Sequence, residues 1–127
     1  VIGEEVEYSL LKAAKEENIQ ITEFTVAPFV SEGEGRSYHE WFIEFENKPP
    51  NMQEFARKID ENLRQKNVYY DDLIGGNILT PLKLTPVKKN GFIDYMKSVG
   101  KLGGQHKVPR LSNDRKVADE LAKWKEN

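Results

Sequence analysis

The chain predicts an α+β fold, a small sheet of about three strands including a β-hairpin, flanked by about four helices. Three observations carry that expectation. A length of 127 residues suits one domain with one hydrophobic core and is too short for two ordinary ones. Met52, Phe55, Ala56, Ile59 and Leu63 fall at i, i+3, i+4, i+7 and i+11, a single apolar helical stripe. Between residues 19 and 46 the pattern changes to β-branched and aromatic residues, with Trp41, Ile43 and Phe45 alternating with Phe42, Glu44 and Glu46.

Each element follows in order. From Glu4 to Asn18, Val6, Leu10, Leu11 and Ala14 stand near helical spacing, with Glu4, Glu5 and Glu7 early and Lys12 and Lys15 later, as the helix dipole favours. Ile19 to Val30 and Tyr38 to Glu46 read as two strands of a hairpin, joined by a polar segment, 31–36, longer than a two-residue turn. Pro49-Pro50 stops the second strand, and Asn51 with Glu54 three residues on resembles a capping box at the start of the striped helix. Val68 to Ile74 suggests a short helical turn closed by Gly75-Gly76. Ile78 to Val87 reads as a third strand, with Pro81 confining its first half to an edge or a bulge. Asn90-Gly91 breaks it. Phe92, Tyr95, Met96 and Val99 then form a helical stripe ending near a C-cap at Gly100. Leu102 to Leu111 is a Gly-rich basic loop, and Ser112-Asn113-Asp114 opens a last helix with Val117, Leu121 and Trp124 on one side.

Composition narrows the function classes. Hydrophobic residues at 38% and charged residues at 31% exclude a disordered tail. No apolar run approaches the ~18 residues of a membrane span, and no basic-then-apolar signal segment opens the chain. A cytoplasmic location with no membrane partner is therefore expected. The absence of cysteine removes disulfides, a thiolate nucleophile and cysteine zinc sites, and the two histidines, His39 and His106, stand far apart, so no metal site is expected. Residues 1–82 hold 8 Lys and Arg against 16 Asp and Glu, a net of −8, whereas residues 83–127 hold 11 against 5, a net of +6. Such asymmetry suits either an anion site or an ordinary surface assembled from distant segments.

The run from Gly100 to Arg110 differs from everything before it. It combines glycines, which let backbone approach a ligand closely, with Lys101, Lys107 and Arg110, which can neutralise phosphate or carboxylate oxygens. It fits neither a Walker A loop nor the GxGxxG fingerprint. Taken alone, it reads either as such a site or as a helix C-cap followed by a solvated connector. His106 is either a general base or an exposed loop histidine, and Asp71-Asp72 either a metal pair or a solvated one. Trp41, Phe42, Tyr69 and Tyr70 are read as core aromatics rather than stacking platforms, so no nucleic-acid partner is expected.

Gly103-Gly104-Gln105-His106-Lys107-Val108-Pro109-Arg110, preceded by the Gly91-Phe92-Ile93-Asp94-Tyr95 helix and followed by Ser112-Asn113, resembles the end of the auxin-responsive promoter family. These are the acyl acid-amido synthetases of plants, including jasmonate- and indole-acetate-conjugating enzymes, and their bacterial relatives. The segment from Arg36 to Phe45 is similar to the family's Gly-His-Tyr strand, and Leu82-Lys83-Leu84 to another of its strands, so the resemblance spans most of the chain. His106 occupies a place that is usually aromatic in the plant enzymes.

The resemblance implies the adenylate-forming superfamily of acyl-CoA synthetases and luciferases. Residues 1–127 would be the smaller C-terminal closing domain, beginning at Val1 just after the hinge, with a large N-terminal domain of the same chain binding ATP and the acyl acid. ATP and Mg2+ would serve the full-length enzyme, and this domain alone would bind neither and be inactive. Lys107 would be the catalytic cation. Gln105 would hydrogen-bond a phosphate or position the loop, Gly103 and Gly104 would let backbone approach the nucleotide, and Arg110 would hold the loop through a carboxylate or touch the nucleotide. An acyl acid and an amine, such as an amino acid, would be the substrates. The alternatives are the closing domain of a CoA or thiol ligase, and a non-enzymatic module that binds polyanions through the basic last third.

Overall fold

The structure, a computed structural model, describes residues 2–31, 37–100 and 108–126. It is α+β, as predicted. In chain order the elements are α1 (Gly3–Glu17), β1 (Ile21–Phe29), β2 (Tyr38–Phe45), α2 (Met52–Lys66), α3 (Val68–Gly75), β3 (Lys83–Pro86), α4 (Gly91–Ser98) and α5 (Lys116–Leu121), the last running into a 3-10 turn at Ala122–Trp124.

The sheet order is β1-β2-β3. β1 and β2 form the expected hairpin, antiparallel with Phe24 opposite Ile43 and Val26 opposite Trp41. β3 lies parallel to β2, Trp41 opposite Leu84 and Phe42 opposite Thr85. The parallel pairing follows from the connection, since α2 and α3 intervene and a crossover of that length returns the chain in the same direction.

Both faces of the sheet are covered. On one face Phe24, Val26, Trp41, Ile43 and Phe45 pack with Val6 and Leu10 of α1 and Phe55, Ile59 and Leu63 of α2. On the other, Ala27, Phe42 and Val87 pack with Phe92 and Tyr95 of α4 and Ala118 and Leu121 of α5. Double coverage makes β2 buried from Glu40 through Phe45, and its two interior glutamates must find partners there. Glu40 accepts from Thr85 Oγ1 at 2.5 Å and Arg115 Nη1 at 2.9 Å. Glu44 accepts from the backbone N–H of Asn90 at 2.9 Å and of Phe92 at 3.2 Å.

Caps explain where the helices begin. Asn51 Oδ1 accepts from Glu54 N at 3.0 Å to start α2, as the sequence predicts, while the Glu54 carboxylate is engaged by Arg57 at 2.7 Å. Asn67 ends α2 and caps α3, accepting from Tyr70 N at 2.8 Å, and this second cap turns the expected helical turn into an eight-residue helix.

Two elements are shorter than expected. The third strand keeps only Lys83–Pro86 of the predicted 78–87, because Pro81 has no N–H to give a ladder. The last helix begins at Lys116 rather than Ser112. Its expected first residues are held elsewhere: Val26 N donates to Arg110 O at 3.1 Å and Ser112 N to Val26 O at 2.8 Å, so this stretch extends the sheet along the free edge of β1. At the opposite edge Lys88 N donates to Trp124 O at 2.8 Å and Glu126 N to Pro86 O at 2.9 Å. Neither outer strand is left as an open edge over these residues.

Candidate functional site

The basic loop singled out by the sequence is framed by α4 before it and by residues 108–112 after it. Gly91 allows α4 to start close against β3: a Cβ there would stand 2.4 Å from Val87 Cγ1 and 3.1 Å from Trp124 Cβ. Phe92 and Tyr95 seat the helix on the sheet, and the buried Glu44 carboxylate receives two N–H groups at its start, where the helix dipole favours negative charge. At the other end Val99 N donates to Tyr95 O at 3.2 Å and Gly100 N to Lys97 O at 3.1 Å, with Gly100 at φ 70°. The glycine cap expected at this position is present.

Gly103, Gly104, Gln105, His106 and Lys107 lie outside the described residues. The chain is described again at Val108, which is buried beneath α4 and α5. Thr25 Oγ1, itself buried, donates to Pro109 O at 2.6 Å. Arg110 Nη1 donates to Glu23 Oε1, and its guanidinium lies 4.6 Å from the centre of the Phe24 ring. Glu23 thus supplies the carboxylate that one of the two expected roles of Arg110 requires. The exit of the loop is tied to β1 by backbone, hydroxyl and guanidinium bonds together.

Glu23, Thr25 and Glu44 take part in this frame and are not singled out by the sequence reading. The signal available was a glutamate inside a strand rich in apolar residues, since such a carboxylate must be paired if both faces are covered. Coverage of both faces is a tertiary fact.

A second cluster lies at the other side of the hairpin. His39, Tyr69, Tyr70, Leu79 and Ser112 line a cleft of about 350 Å³. His39 stacks on Tyr70 at 5.7 Å, and the Tyr70 hydroxyl donates to the buried Asp60 carboxylate. Burial first, then this carboxylate, pushes the Tyr70 hydroxyl pKa well up. Burial lowers the pKa of His39, with the Asp60 charge opposing. Of the four aromatics read as core, Trp41, Phe42 and Tyr70 are buried, but Tyr69 is 82% exposed, because adjacent residues on α3 point about 100° apart and only one can face the sheet. Asp71 of the acidic pair accepts from Arg64 Nε at 2.6 Å.

The charge asymmetry is partly cancelled by folding. Arg110 pairs with Glu23 and Arg115 with Glu40, each a cation of the basic last third on a carboxylate of the acidic part. Chemically, the described frame fixes the residues on either side of 101–107 on one β-hairpin, the start of α4 through Glu44 and residues 109–112 through β1.

Comparisons with known proteins bear on what such a frame serves. Residues 4–116 match the family described as "GH3 family C-terminal domain". Among solved structures, "GH3.15 acyl acid amido synthetase" is 18% identical with a TM-score of 0.76, over 97% of this chain and 24% of that one. A second, "AtGH3.15 acyl acid amido synthetase in complex with 2,4-DB", is likewise 18% identical with a TM-score of 0.75, over the same 97% and 24%. The chain thus spans about a quarter of the length of these structures, and at this identity the likeness is one of fold. No curated protein matches it in sequence.

Proposed function

Since this chain belongs to the GH3 family, as its C-terminal domain, we propose that it is the closing domain of an ATP-dependent acyl acid amido synthetase. The observation that carries this reading is the family match over 4–116, which takes in the helix, the basic loop and its anchored exit. In the proposed reaction a carboxylate oxygen of the acyl acid attacks the α-phosphate of ATP, and the bond to pyrophosphate breaks with its electron pair leaving on pyrophosphate. An amine then attacks the acyl carbon, AMP departs and the ammonium proton passes to solvent.

Negative charge gathers on the α-phosphate and the departing pyrophosphate, so a cation delivered there stabilises the transition state more than the ground state. Lys107 is proposed for that role, with Gln105 and the backbone of Gly103 and Gly104 against the nucleotide. Among the described residues no group of three or more acidic or histidine side chains could hold a metal ion. The Mg2+ that accompanies ATP and the acyl pocket are proposed for the remainder of the enzyme, and the domain alone is expected to be inactive. The pairing of Arg110 and Arg115 with strand glutamates favours this reading over a polyanion-binding module, since those cations are already engaged. A CoA or thiol ligase would share the first step and differ in the acceptor.

The test is Lys107→Ala in the full-length enzyme. Acyl-dependent pyrophosphate exchange should fall about 100-fold or more, the scale of removing one preorganised transition-state contact. Exchange at the wild-type rate removes the assignment.

A further inference from the structure

Glu23 and Glu44 face each other across the hairpin as register partners. Carboxylates directly opposite in a β-ladder repel and destabilise it. Here each is taken by a different end of the loop frame: Glu23 by the Arg110 guanidinium at the exit, and Glu44 by the N–H groups of Asn90 and Phe92 at the start of the helix that leads in. We propose that this carboxylate pair is a two-point clamp, with Glu23 and Glu44 acting as positioning residues for the loop that carries Lys107. The proposal rests on the adenylation reading for its catalytic consequence, though not for the clamp itself.

The geometry supports a joint role. Helix α4 is only eight residues long, so fixing its first turn fixes where its C-terminus hands over to the loop. The exit is held at three consecutive residues: Val108 by burial, Pro109 by Thr25 Oγ1, and Arg110 by Val26 N and Glu23. Because the two carboxylates are neighbours, each partner also offsets the repulsion that the other carboxylate would feel. Releasing Arg110 leaves Glu23, opposite Glu44, with the Phe24 N–H at 3.0 Å as its remaining described donor and no cation, so the exit and the entry are linked through the hairpin. Neither residue needs to touch substrate for this to matter, since a misplacement of about 1 Å in a reacting group is enough to cost a large factor in rate.

The decisive variant is Glu23→Gln in the full-length enzyme, which keeps the side-chain size and discharges the carboxylate at a half-buried position. The expected result is a fall of about tenfold in the kcat of pyrophosphate exchange, equivalent to about 1.4 kcal/mol in the barrier. The KM for ATP and for the acyl acid should hold within about twofold, since only transition-state positioning is lost. Amide hydrogen exchange over residues 108–112 should quicken while the melting temperature stays within about 3 °C. An unchanged kcat overturns the proposal, whatever the amide exchange shows. If the wild-type enzyme has no acyl-dependent pyrophosphate exchange, the adenylation reading fails instead, and amide exchange alone decides the clamp: faster in Glu23→Gln supports it, equal overturns it. Should Glu23→Gln not fold, Glu23→Asp, which keeps the charge and shortens the reach to Arg110, opens the same pair and is held to the same outcomes.

Discussion

At the scale of single residues the most constrained polar group outside the loop frame is the Tyr70 hydroxyl, buried and donating to Asp60. Asp60 receives only one further described bond, from Leu82 N at 3.4 Å, so Tyr70 is its main partner. Tyr70→Phe should therefore destabilise the domain by about 1–3 kcal/mol, the cost of leaving a buried acceptor short of a donor. A denaturant titration checks this, and an unmoved midpoint would mean that Asp60 is solvated in its place. The variant keeps the ring on which His39 stacks, so the acid limb of stability should survive it. The folded-state pKa of His39 is lowered by burial, so the unfolded chain binds the proton more readily. Stability is then full above about pH 6.5 and declines as the pH falls below it, in both proteins. The sequence shows Tyr69-Tyr70 as a pair and says nothing of which one is buried, because that depends on how α3 is rotated against its neighbours.

Among the elements, α4 begins in close contact with its neighbours, and its first residue shows why. Any side chain at Gly91 meets Val87 Cγ1 at 2.4 Å and the backbone oxygen of Trp124 at 3.4 Å. Gly91→Ala should cost about 1–3 kcal/mol by overpacking, read as a lower melting temperature. An unchanged melt would show that the Val87 side chain turns aside freely. The preceding Asn90, at φ 67°, makes the turn that Asn-Gly announces in the sequence. Elements with caps or stripes of their own, α1, α2, α4 and the hairpin, were legible for that reason. The strand expected over 78–87, read from apolar alternation, and the helix expected from Ser112, read from the Ser-Asn-Asp run, were both overextended because such local signals do not show which hydrogen-bond partners decide where an element ends. At Ser112 the partner is Val26, 86 positions earlier, which no local pattern reveals.

At the scale of the whole molecule, the two sheet faces and both outer edges are closed by segments distant in sequence. The 3-10 turn and residues 125–126 cover the β3 edge through Trp124 and Glu126, and Trp124 also meets Tyr95 edge-on at 6.1 Å. Ending the chain after Leu121 should lower the melting temperature by several degrees or more, since two ladder bonds and one aromatic contact go together. A truncated chain that melts like the whole would show that the edge needs no cover. The amino-acid sequence by itself determined the α+β class, the hairpin, the Gly100 cap and the family, through the resemblance of the loop and its flanking strand and helix. These depend on periodicity, turn chemistry and local motif, all readable within a few residues. Only the tertiary structure decided that both sheet faces are buried, that Arg110 meets Glu23, and that Glu44 caps α4. Those pairings follow from the low dielectric of a doubly covered sheet, where a carboxylate must find a donor and the donor comes from wherever the fold brings one.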